Sequence, residues 1–259
     1  MLYIGIDIGS TASKVCILEH DKIKNTFIYP TGWSSVKTAE EIKQAIEKLG
    51  MTSSNSKIVA TGYGRVSVPY ADKTITEITC HAVGAYYLLH EDCTVIDIGG
   101  QDTKVITVES GKVTNFSMND KCAAGTGKFL ELMAGTLGFD IDELCTEAAK
   151  GSGTTISSMC TVFAESEVIS LIGSGKKRKD IAFGVIESIT GKVKSLCQKH
   201  SDSHNYFLTG GLCDSPFIVD QLSEKLGSPV ATQRMARYAG AIGAAIMASR
   251  IEENSNEAL

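Results

Sequence analysis

The pattern of hydrophobic and polar positions predicts short strands alternating with amphipathic helices along the 259 residues. In SSVKTAEEIKQAIEKLG, apolar residues recur every three or four positions up to Gly50, a residue type that commonly ends helices. KIVATG is predicted as a short strand and ITEITCHAVGAYYLLH as a helix. Helices are also predicted at about 126–137, 161–173 and 180–199, then a strand, glycine turn and helix in YFLTGGLCDSPFIVDQLSEKLG and a closing helix in RYAGAIGAAIMA. This alternation is typical of an α/β fold.

An internal repeat organises the chain. DIGSTASKVCILEHDKI at 7–23 aligns without gaps with DIGGQDTKVITVESGKV at 97–113, and seven of the seventeen positions are identical. Each copy lies between apolar runs, so each is predicted to be a strand-turn-strand hairpin. The alternative is a pair of ordinary hairpins, and repetition of the whole unit 90 residues apart argues against it.

The residue types in these turns suit phosphate binding. An aspartate that ends a strand can hold a hydrated divalent cation, and a glycine lets the backbone approach an anion closely. Hydroxyl groups and free turn amides can surround phosphate oxygens. We therefore expect two such turns, facing each other, to hold one nucleotide.

Composition and charge exclude several classes of function. Hydrophobic residues make up 43% and charged residues 21%, which is ordinary for an ordered globular protein. The net charge of -5 offers no broad cationic surface for nucleic acid or anionic lipid, and the basic run at 176–179 is expected to cap a helix end or solvate a loop. No apolar run is long enough to span a bilayer, and the first residues reach Asp7 too soon for a signal peptide. We expect a cytoplasmic protein that binds neither nucleic acid nor membrane.

Two of the eight cysteines stand out. No C-x-x-C pair is present, and the five histidines show no metal-binding spacing, which disfavours a closed zinc site built from local pairs. Cys122 in NDKCAAGTGKFLE and Cys160 in SSMCTVFAESE precede predicted helices, although a buried core position is the common alternative for a free cysteine. Core or surface positions are expected for Cys16, Cys80, Cys93, Cys145 and Cys197, while Cys213 follows the T-G-G turn and has a possible backbone contact with a nucleotide.

The two hairpins, the later T-G-G turn and the closing Gly/Ala helix resemble the actin, Hsp70 and sugar-kinase superfamily of ATPases. The resemblance implies two lobes, each a mixed sheet flanked by helices, which close on ATP. We place the first lobe at 1–92 and the second at 93–259, with a C-terminal helix at about 236–252 packed back on the first. Because no Pro/Ser-rich linker is present, the boundary is expected to be a structural hinge.

A narrower resemblance comes from GIDIGSTASK, ATGYGR, VIDIGGQDTKVI, NDKCAAGTGKFLE and SSMCTVFAESEVIS. Together these motifs resemble the activator component of 2-hydroxyacyl-CoA dehydratases, a family that includes the ATPase subunits of benzoyl-CoA reductase. The resemblance implies a homodimer with one 4Fe-4S cluster, held by Cys122 and Cys160 of both chains. Helices that start at the two cysteines would point their free amides at the cluster.

The resemblance also implies the activity and its site residues. A ferredoxin or flavodoxin would reduce the cluster, and ATP binding and hydrolysis with Mg²⁺ would drive transfer of one electron to the dehydratase. Asp7 and Asp97 are candidates for metal binding or catalysis, and Gln101 for orienting the attacking water. Contacts with ATP or ADP are predicted for Gly9, Ser10, Thr11, Ala12, Ser13, Lys14, Gly99, Gly100, Gln101, Asp102, Gly125, Thr126, Gly127, Gly210 and Gly211. Glu77 and His81, one helical turn apart, line either the γ-phosphate or an ordinary helix face.

Three other functions stay open at this stage. The acceptor is alternatively a double-cubane cluster protein or an enzyme of the benzoyl-CoA reductase type. A small-molecule kinase of the same superfamily is a second alternative, but it gives no reason for Cys122 and Cys160. A redox sensor or assembly factor that uses the same cluster is a third. The sequence does not identify the acyl-CoA served.

Overall fold

The computed structural model describes residues 1–200 and 205–256, with side chains up to residue 251. The chain divides into two compact units. The first comprises Met1–Cys93, Val108–Thr114 and the residues from Met235 on, and the second comprises Thr94–Thr107 and Asn115–Arg234. Residues 201–204 and 257–259, which belong to the expected second lobe, lie outside the described residues.

The first unit is built on a mixed five-stranded sheet. Its strands are β1 Leu2–Ile8, β2 Ala12–Glu19, β3 Lys22–Pro30, β4 Ser56–Thr61 and β5 Lys73–Thr74. They lie in the order β3-β2-β1-β4-β5. The pairs β1/β2 and β2/β3 are antiparallel, while β1/β4 and β4/β5 are parallel. The first predicted hairpin is confirmed.

Helices of the predicted periodicity cover this sheet. The described helices of the chain are α1 Ser35–Lys48, α2 Glu77–Leu89, α3 Gly127–Leu137, α4 Ile141–Ala148, α5 Thr161–Gly173, α6 Arg178–Cys197, α7 Pro216–Leu226 and α8 Ala239–Asn256. The isoleucines of β1 pack against α1 through Ile42 and Ile46. On the other side of the same strands, α8 contributes Ile242 and alanines to the core. Because successive side chains of β1 point to opposite sides of the sheet, both faces of the sheet are covered by helices.

A second five-stranded sheet lies mostly in the second unit, although Cys93 and the Val108–Thr114 end of one hairpin belong to the first. Its strands are β6 Cys93–Ile98, β7 Thr103–Glu109, β8 Lys112–Asn119, β9 Tyr206–Gly210 and β10 Val230–Ala231. They lie in the order β10-β9-β6-β7-β8, with β6/β9 and β9/β10 parallel. The second predicted hairpin is therefore also confirmed, and β6 places its carboxyl end beside that of β9.

One helix of this unit was not predicted. Asp140 and Glu143 form a reciprocal capping box at the start of α4, in which each side chain accepts a hydrogen bond from the backbone N–H of the other residue, at 2.8 and 3.0 Å. The D-x-x-E spacing that identifies such a box is present in the sequence. A search for capping boxes would therefore have found α4.

The basic run includes a helix cap. Lys176 and Lys177 are exposed, and Arg178 begins α6. The Arg178 guanidinium donates hydrogen bonds to the carbonyls of Leu137 and Gly138 at the end of α3, and it lies 4.0 Å from the ring centroid of Phe139. A cation bound to the last carbonyls of a helix offsets their partial negative charge.

Candidate functional site

The first hairpin places the Asp7 carboxylate in a narrow space. Asp7 is buried near the end of β1, opposite Lys14 of β2. A Cβ built on Gly240, in the first turn of α8, would lie 2.6 Å from Asp7 Oδ2 and 2.9 Å from His81 Nε2. A Cβ built on Gly62 would lie similarly close to the other carboxylate oxygen of Asp7, Oδ1. Asp7 and the predicted His81 are thus brought together, while Glu77 begins α2 one helical turn earlier.

The turn that follows Asp7 is held by Thr31. The Thr31 hydroxyl donates to the Gly9 carbonyl at 2.8 Å and is 2.8 Å from the Ser13 hydroxyl, and the Thr31 N–H donates to the Thr11 carbonyl at 2.9 Å. Ser13 is fully buried. The Ser13 side chain therefore helps to hold the turn together. Of the other predicted nucleotide contacts in this hairpin, Thr11 is exposed, and the rest are half-buried, namely Gly9, Ser10, Ala12 and Lys14.

The second hairpin contains a buried cluster of charges. The Lys104 ammonium lies 2.7 Å from Asp102 Oδ1 and 3.4 Å from Asp97 Oδ2. The Thr209 hydroxyl donates to Asp97 Oδ1 at 3.2 Å. Lys104 was not among the predicted site residues, although it is one of the identical positions of the repeat and corresponds to Lys14. Gln101 is exposed at the tip of this turn.

The two glycines of the T-G-G turn have different surroundings. Gly210 is buried with a φ of +85°, and a Cβ there would lie 2.7 Å from the Ile98 carbonyl oxygen and 2.8 Å from Asp97 Oδ1. Gly211 is exposed, and no described atom lies within 4 Å of a Cβ built on it. Gly210 therefore permits packing against β6, and Gly211 presents open backbone.

The start of α3 is hydrogen-bonded to the turn of the second hairpin. The backbone N–H groups of Gly127 and Lys128 each donate, at 2.8 Å, to the carbonyls of Gly99 and Gly100 respectively. The Thr103 hydroxyl donates to the Gly125 carbonyl at 2.6 Å. Hydrogen bonds thus join this turn to the start of α3 and to the segment that precedes it.

Cys122 lies in that segment, which we call the Cys122 loop (residues 119–126). The Asn119 amide donates to the carbonyls of Cys122 and Ala124 at 2.9 and 3.1 Å, and the Thr126 hydroxyl donates to the Ala123 carbonyl at 2.7 Å. Cys122 is exposed, and Thr126 is fully buried. The helix predicted at about 126–137 is confirmed as α3, and Cys122 precedes its first residue, Gly127, by five positions rather than lying at the helix start itself.

Cys160 lies directly at a helix start, as predicted. It is the N-cap of α5, and its exposed side chain makes no capping hydrogen bond. Glu167, two turns into α5, accepts hydrogen bonds from the backbone N–H and hydroxyl groups of Ser157 and Ser158 at 2.7 to 3.1 Å. Burial raises the pKa of Glu167, but these hydrogen bonds together lower it below its usual value. The serines before Cys160 are thereby fixed to the helix after it.

Lys192 of α6 connects the two cysteine segments. Its ammonium donates to the Met159 carbonyl at 2.8 Å and lies 5.6 Å from the ring centroid of Phe129. Burial lowers the pKa of Lys192, while the charges of Cys122 and Cys160 act in the opposite direction. A cavity of about 330 Å³ here is lined by residues that include Asn119, Cys122, Met159 and Lys192.

The remaining cysteines have a different environment. Cys16, Cys80, Cys93, Cys145, Cys197 and Cys213 are buried, which leaves only Cys122 and Cys160 exposed among the eight. Burial raises the pKa of four of these thiols, Cys16, Cys80, Cys93 and Cys197, to about 12.

Among the described residues, no group of three or more His, Cys, Asp or Glu side chains is arranged to hold a metal ion. Nor is any described helix long and apolar enough to cross a membrane.

Comparison with known proteins identifies the family. The model of the BadF/BadG/BcrA/BcrD ATPase family matches residues 4–248. The chain belongs to this family. It is 43% identical to the (R)-2-hydroxyglutaryl-CoA dehydratase activating ATPase of Acidaminococcus fermentans over 95% of this chain and 96% of that protein. It is 31% identical to a benzoyl-CoA reductase subunit of Thauera aromatica, over 93% of this chain and 91% of that one. The prediction of an ATPase of this family is confirmed.

Solved structures agree with the family and the fold. The activator of the 2-hydroxyisocaproyl-CoA dehydratase from Clostridium difficile with bound ADPNP is 37% identical, has a TM-score of 0.92, and is matched over 100% of this chain and 98% of that one. A ROK family glucokinase from Streptomyces griseus, at 16% identity and a TM-score of 0.61 over 96% of this chain and all of that one, shares the fold alone. The predicted actin/Hsp70/sugar-kinase-like fold with mixed sheets is confirmed.

Several residues of the candidate site described above were not predicted from the sequence. The repeat marks Lys104, and Asn119 is the first residue of NDKCAAGTGKFLE, but nothing in the local sequence marks Thr31 or Lys192. These two residues act through partners that are distant in sequence. Glu167 is visible in the SSMCTVFAESE motif, yet its bonds to the two serines depend on how the chain enters α5.

Proposed function

We propose that this chain is an ATP-dependent single-electron donor that reduces, and so activates, a 2-hydroxyacyl-CoA dehydratase. The observation that carries the proposal is the connection between the second hairpin and the Cys122 loop through the first amides of α3. A nucleotide that changes the Gly99–Gly100 turn would thereby change the position of Cys122. The dehydratase as partner follows from what the relatives activate.

We assign the nucleotide to the two hairpins. The exposed Thr11 and the half-buried Ser10 and Lys14 present donors to phosphate oxygens on one hairpin, and the glycine turn with Gln101 does so on the other. Asp7 and Asp97 are the proposed groups for Mg²⁺ or for the attacking water, which Gln101 would orient. The bound ADPNP in the Clostridium difficile relative supports a nucleotide in this family.

Two cysteines per chain fit half of a Cys₄ ligand set. Cys122 and Cys160 are both exposed, and thiolates are the protein ligands of a 4Fe-4S cluster. We propose that a second copy of the chain supplies the other two thiolates of a single 4Fe-4S cluster. When bound, the cluster would accept and release one electron at a time, with a ferredoxin or flavodoxin as its reductant in the cytoplasm.

The surface next to Cys160 supports a homodimer. Large apolar side chains are exposed along α5 and just before it, with 81% of Met159, 65% of Val162, 68% of Phe163 and 56% of Ile169 accessible. Only Ala164 and Val168 of α5 are buried. An apolar helix face of this kind is typical of a protein interface.

Iron analysis under anaerobic conditions tests this function. We expect about four irons per dimer, as for one 4Fe-4S cluster, and loss of the cluster in Cys122→Ala and Cys160→Ala with ATP binding retained. Cys145→Ala, which changes a buried cysteine of α4, is the matched control and should keep the iron. Full iron content in either Cys122→Ala or Cys160→Ala would refute the assignment.

A second acceptor is favoured by one comparison. The match with the benzoyl-CoA reductase subunit extends over most of both chains, so a reductase of another acceptor is the alternative. The two are separated by measuring which acceptor protein stimulates ATP hydrolysis by the reduced dimer. Stimulation by a 2-hydroxyacyl-CoA dehydratase alone supports the first proposal.

A further inference from the structure

Lys192 lies where the two cysteine segments meet α6. Its ammonium donates to the Met159 carbonyl, one residue before Cys160. Its Cβ is the atom nearest to a side chain built on Gly125, at 3.3 Å, so its stem packs against the Cys122 loop. A single side chain therefore contacts both segments.

The stem and the charge of Lys192 have separate partners. The ammonium is within cation–π distance of Phe129, a fully buried residue of α3. The side chain is half-buried and lines the same cavity as Cys122. Lys199, two residues after the end of α6, lines this cavity too but is exposed. Lys192 is thus held in place by a hydrogen bond, a ring and a packed stem.

We propose that Lys192 is the positioning residue of the cysteine site, which holds the Cys160 segment against the Cys122 loop and keeps a fixed positive charge at the cavity that Cys122 lines. This inference rests on the proposed function and adds a residue to it. The hydrogen bond to Met159 orders the segment before any metal binds. The charge stabilises the more negative, reduced state of a bound cluster relative to the oxidised state.

The positive charge of Lys192 and its hydrogen bond to the Met159 carbonyl predict separate effects. In Lys192→Met the apolar stem is retained while the donor and the charge are lost. Without the hydrogen bond, amide exchange at residues 157–161 should become several-fold faster in the metal-free protein. Without the charge, the cluster should become harder to reduce, so its midpoint potential should shift to more negative values.

Two matched variants complete the test. Lys192→Arg keeps a charged donor and should restore the potential toward that of the unmodified protein. Lys199→Met removes an exposed charge that lines the same cavity, and it should leave both amide exchange and potential close to those of the unmodified protein. Hydrogen exchange with mass spectrometry gives the first readout, and EPR-monitored potentiometry of the reconstituted dimer gives the second.

The outcomes separate this inference from the proposed function. If the unmodified protein binds no cluster, the proposed function fails, and amide exchange in the metal-free protein alone decides the positioning role. If the cluster forms normally, unchanged exchange or an unchanged potential in Lys192→Met overturns the inference. Equal shifts in Lys199→Met and Lys192→Met also overturn it, because the effect would then be one of general charge.

Discussion

Asp7 and Asp97 occupy equivalent positions in the repeat, but their carboxylates have different neighbours. Asp97 is paired with Lys104 and accepts a hydrogen bond from Thr209. Asp7 lies against two glycines and beside His81. The repeat therefore preserves the acidic group and not its surroundings, and the two hairpins are not interchangeable.

At the residue scale, we predict that Gly240→Ala disturbs the first hairpin. The added methyl group would press on both Asp7 and His81. Overpacking of this kind typically costs about 1 to 3 kcal/mol, and displacement of Asp7 should weaken ATP binding. Chemical denaturation and calorimetric ATP titration measure the two effects.

Gly135→Ala serves as the control for this substitution. Gly135 lies within α3, and no described atom is within 4 Å of a Cβ built on it. Alanine there should raise stability by up to about 1 kcal/mol, because it is the better helix former. If Gly240→Ala were as stable as Gly135→Ala and bound ATP as tightly as the unmodified protein, the close packing at Asp7 would have no functional role.

At the element scale, α3 is the proposed link between the nucleotide and Cys122. Gly127 is the first residue of the helix after the Thr126 cap, where proline is well tolerated. Thr126 has the extended backbone that a following proline requires, with φ of -126° and ψ of 170°. Gly127→Pro should therefore retain the start of α3. Its ring Cδ would take the place of the hydrogen on a nitrogen that lies 2.8 Å from the Gly99 carbonyl oxygen, so the hydrogen bond would be lost and that carbonyl pushed away.

We predict that Gly127→Pro uncouples the two sites. Iron content should persist, while the change in the EPR signal of the reduced cluster on addition of saturating MgATP should be reduced or absent. Gly127→Ala is the control, since it adds a side chain to the same tight space but keeps the donor. An unchanged response to MgATP in Gly127→Pro would show that the signal does not pass through this bond.

The hydrogen bonds that Glu167 accepts from Ser157 and Ser158 predict that the stability of the fold depends on pH. Because the pKa of Glu167 in the folded protein is below the ordinary 4.5, its stabilising effect is fully present above that value. The effect is lost as the pH falls through the lowered pKa and the carboxylate becomes protonated. Glu167→Gln should thus lower the unfolding free energy near neutral pH and weaken its dependence on pH in acid.

Thermal unfolding from about pH 6 to about pH 3 measures this difference. Glu165→Gln is the control, because Glu165 lies on the same helix and accepts a longer, 3.3 Å hydrogen bond from Thr136, which glutamine can also accept. Parallel stability curves for the unmodified protein and Glu167→Gln would contradict this role of the Glu167 hydrogen bonds.

At the scale of the whole molecule, the exposed apolar face of α5 predicts how the active species forms. Phe163→Glu would place a charge in the proposed dimer interface, where its desolvation opposes association. We expect a monomer by analytical ultracentrifugation, together with loss of the cluster, since the second pair of thiolates would be absent. Val66→Glu alters a similarly exposed apolar residue of the first unit and should leave the dimer intact.

Much of the fold was predictable because its signals are local. The period of apolar residues located α1, α2 and α5, and the repeated aspartate and glycine turns located both hairpins. The limits of α6 lie two residues earlier than predicted at each end, and at its start the Arg178 side chain is bonded to the end of α3. The helix predicted at about 126–137 is α3, and the turn at Ala123–Thr126 separates Cys122 from its first residue.

The sequence by itself determined the α/β order, the two hairpins and the two cysteine motifs, because each depends on residues that are near one another along the chain. Tertiary structure alone decided which side chains support the site. Ser13 is bonded to Thr31 across 18 positions of sequence, and Lys192 reaches Met159 across 33 positions. Such contacts depend on how helices and strands pack, and packing brings together residues whose separate local sequences carry no mark of the pairing.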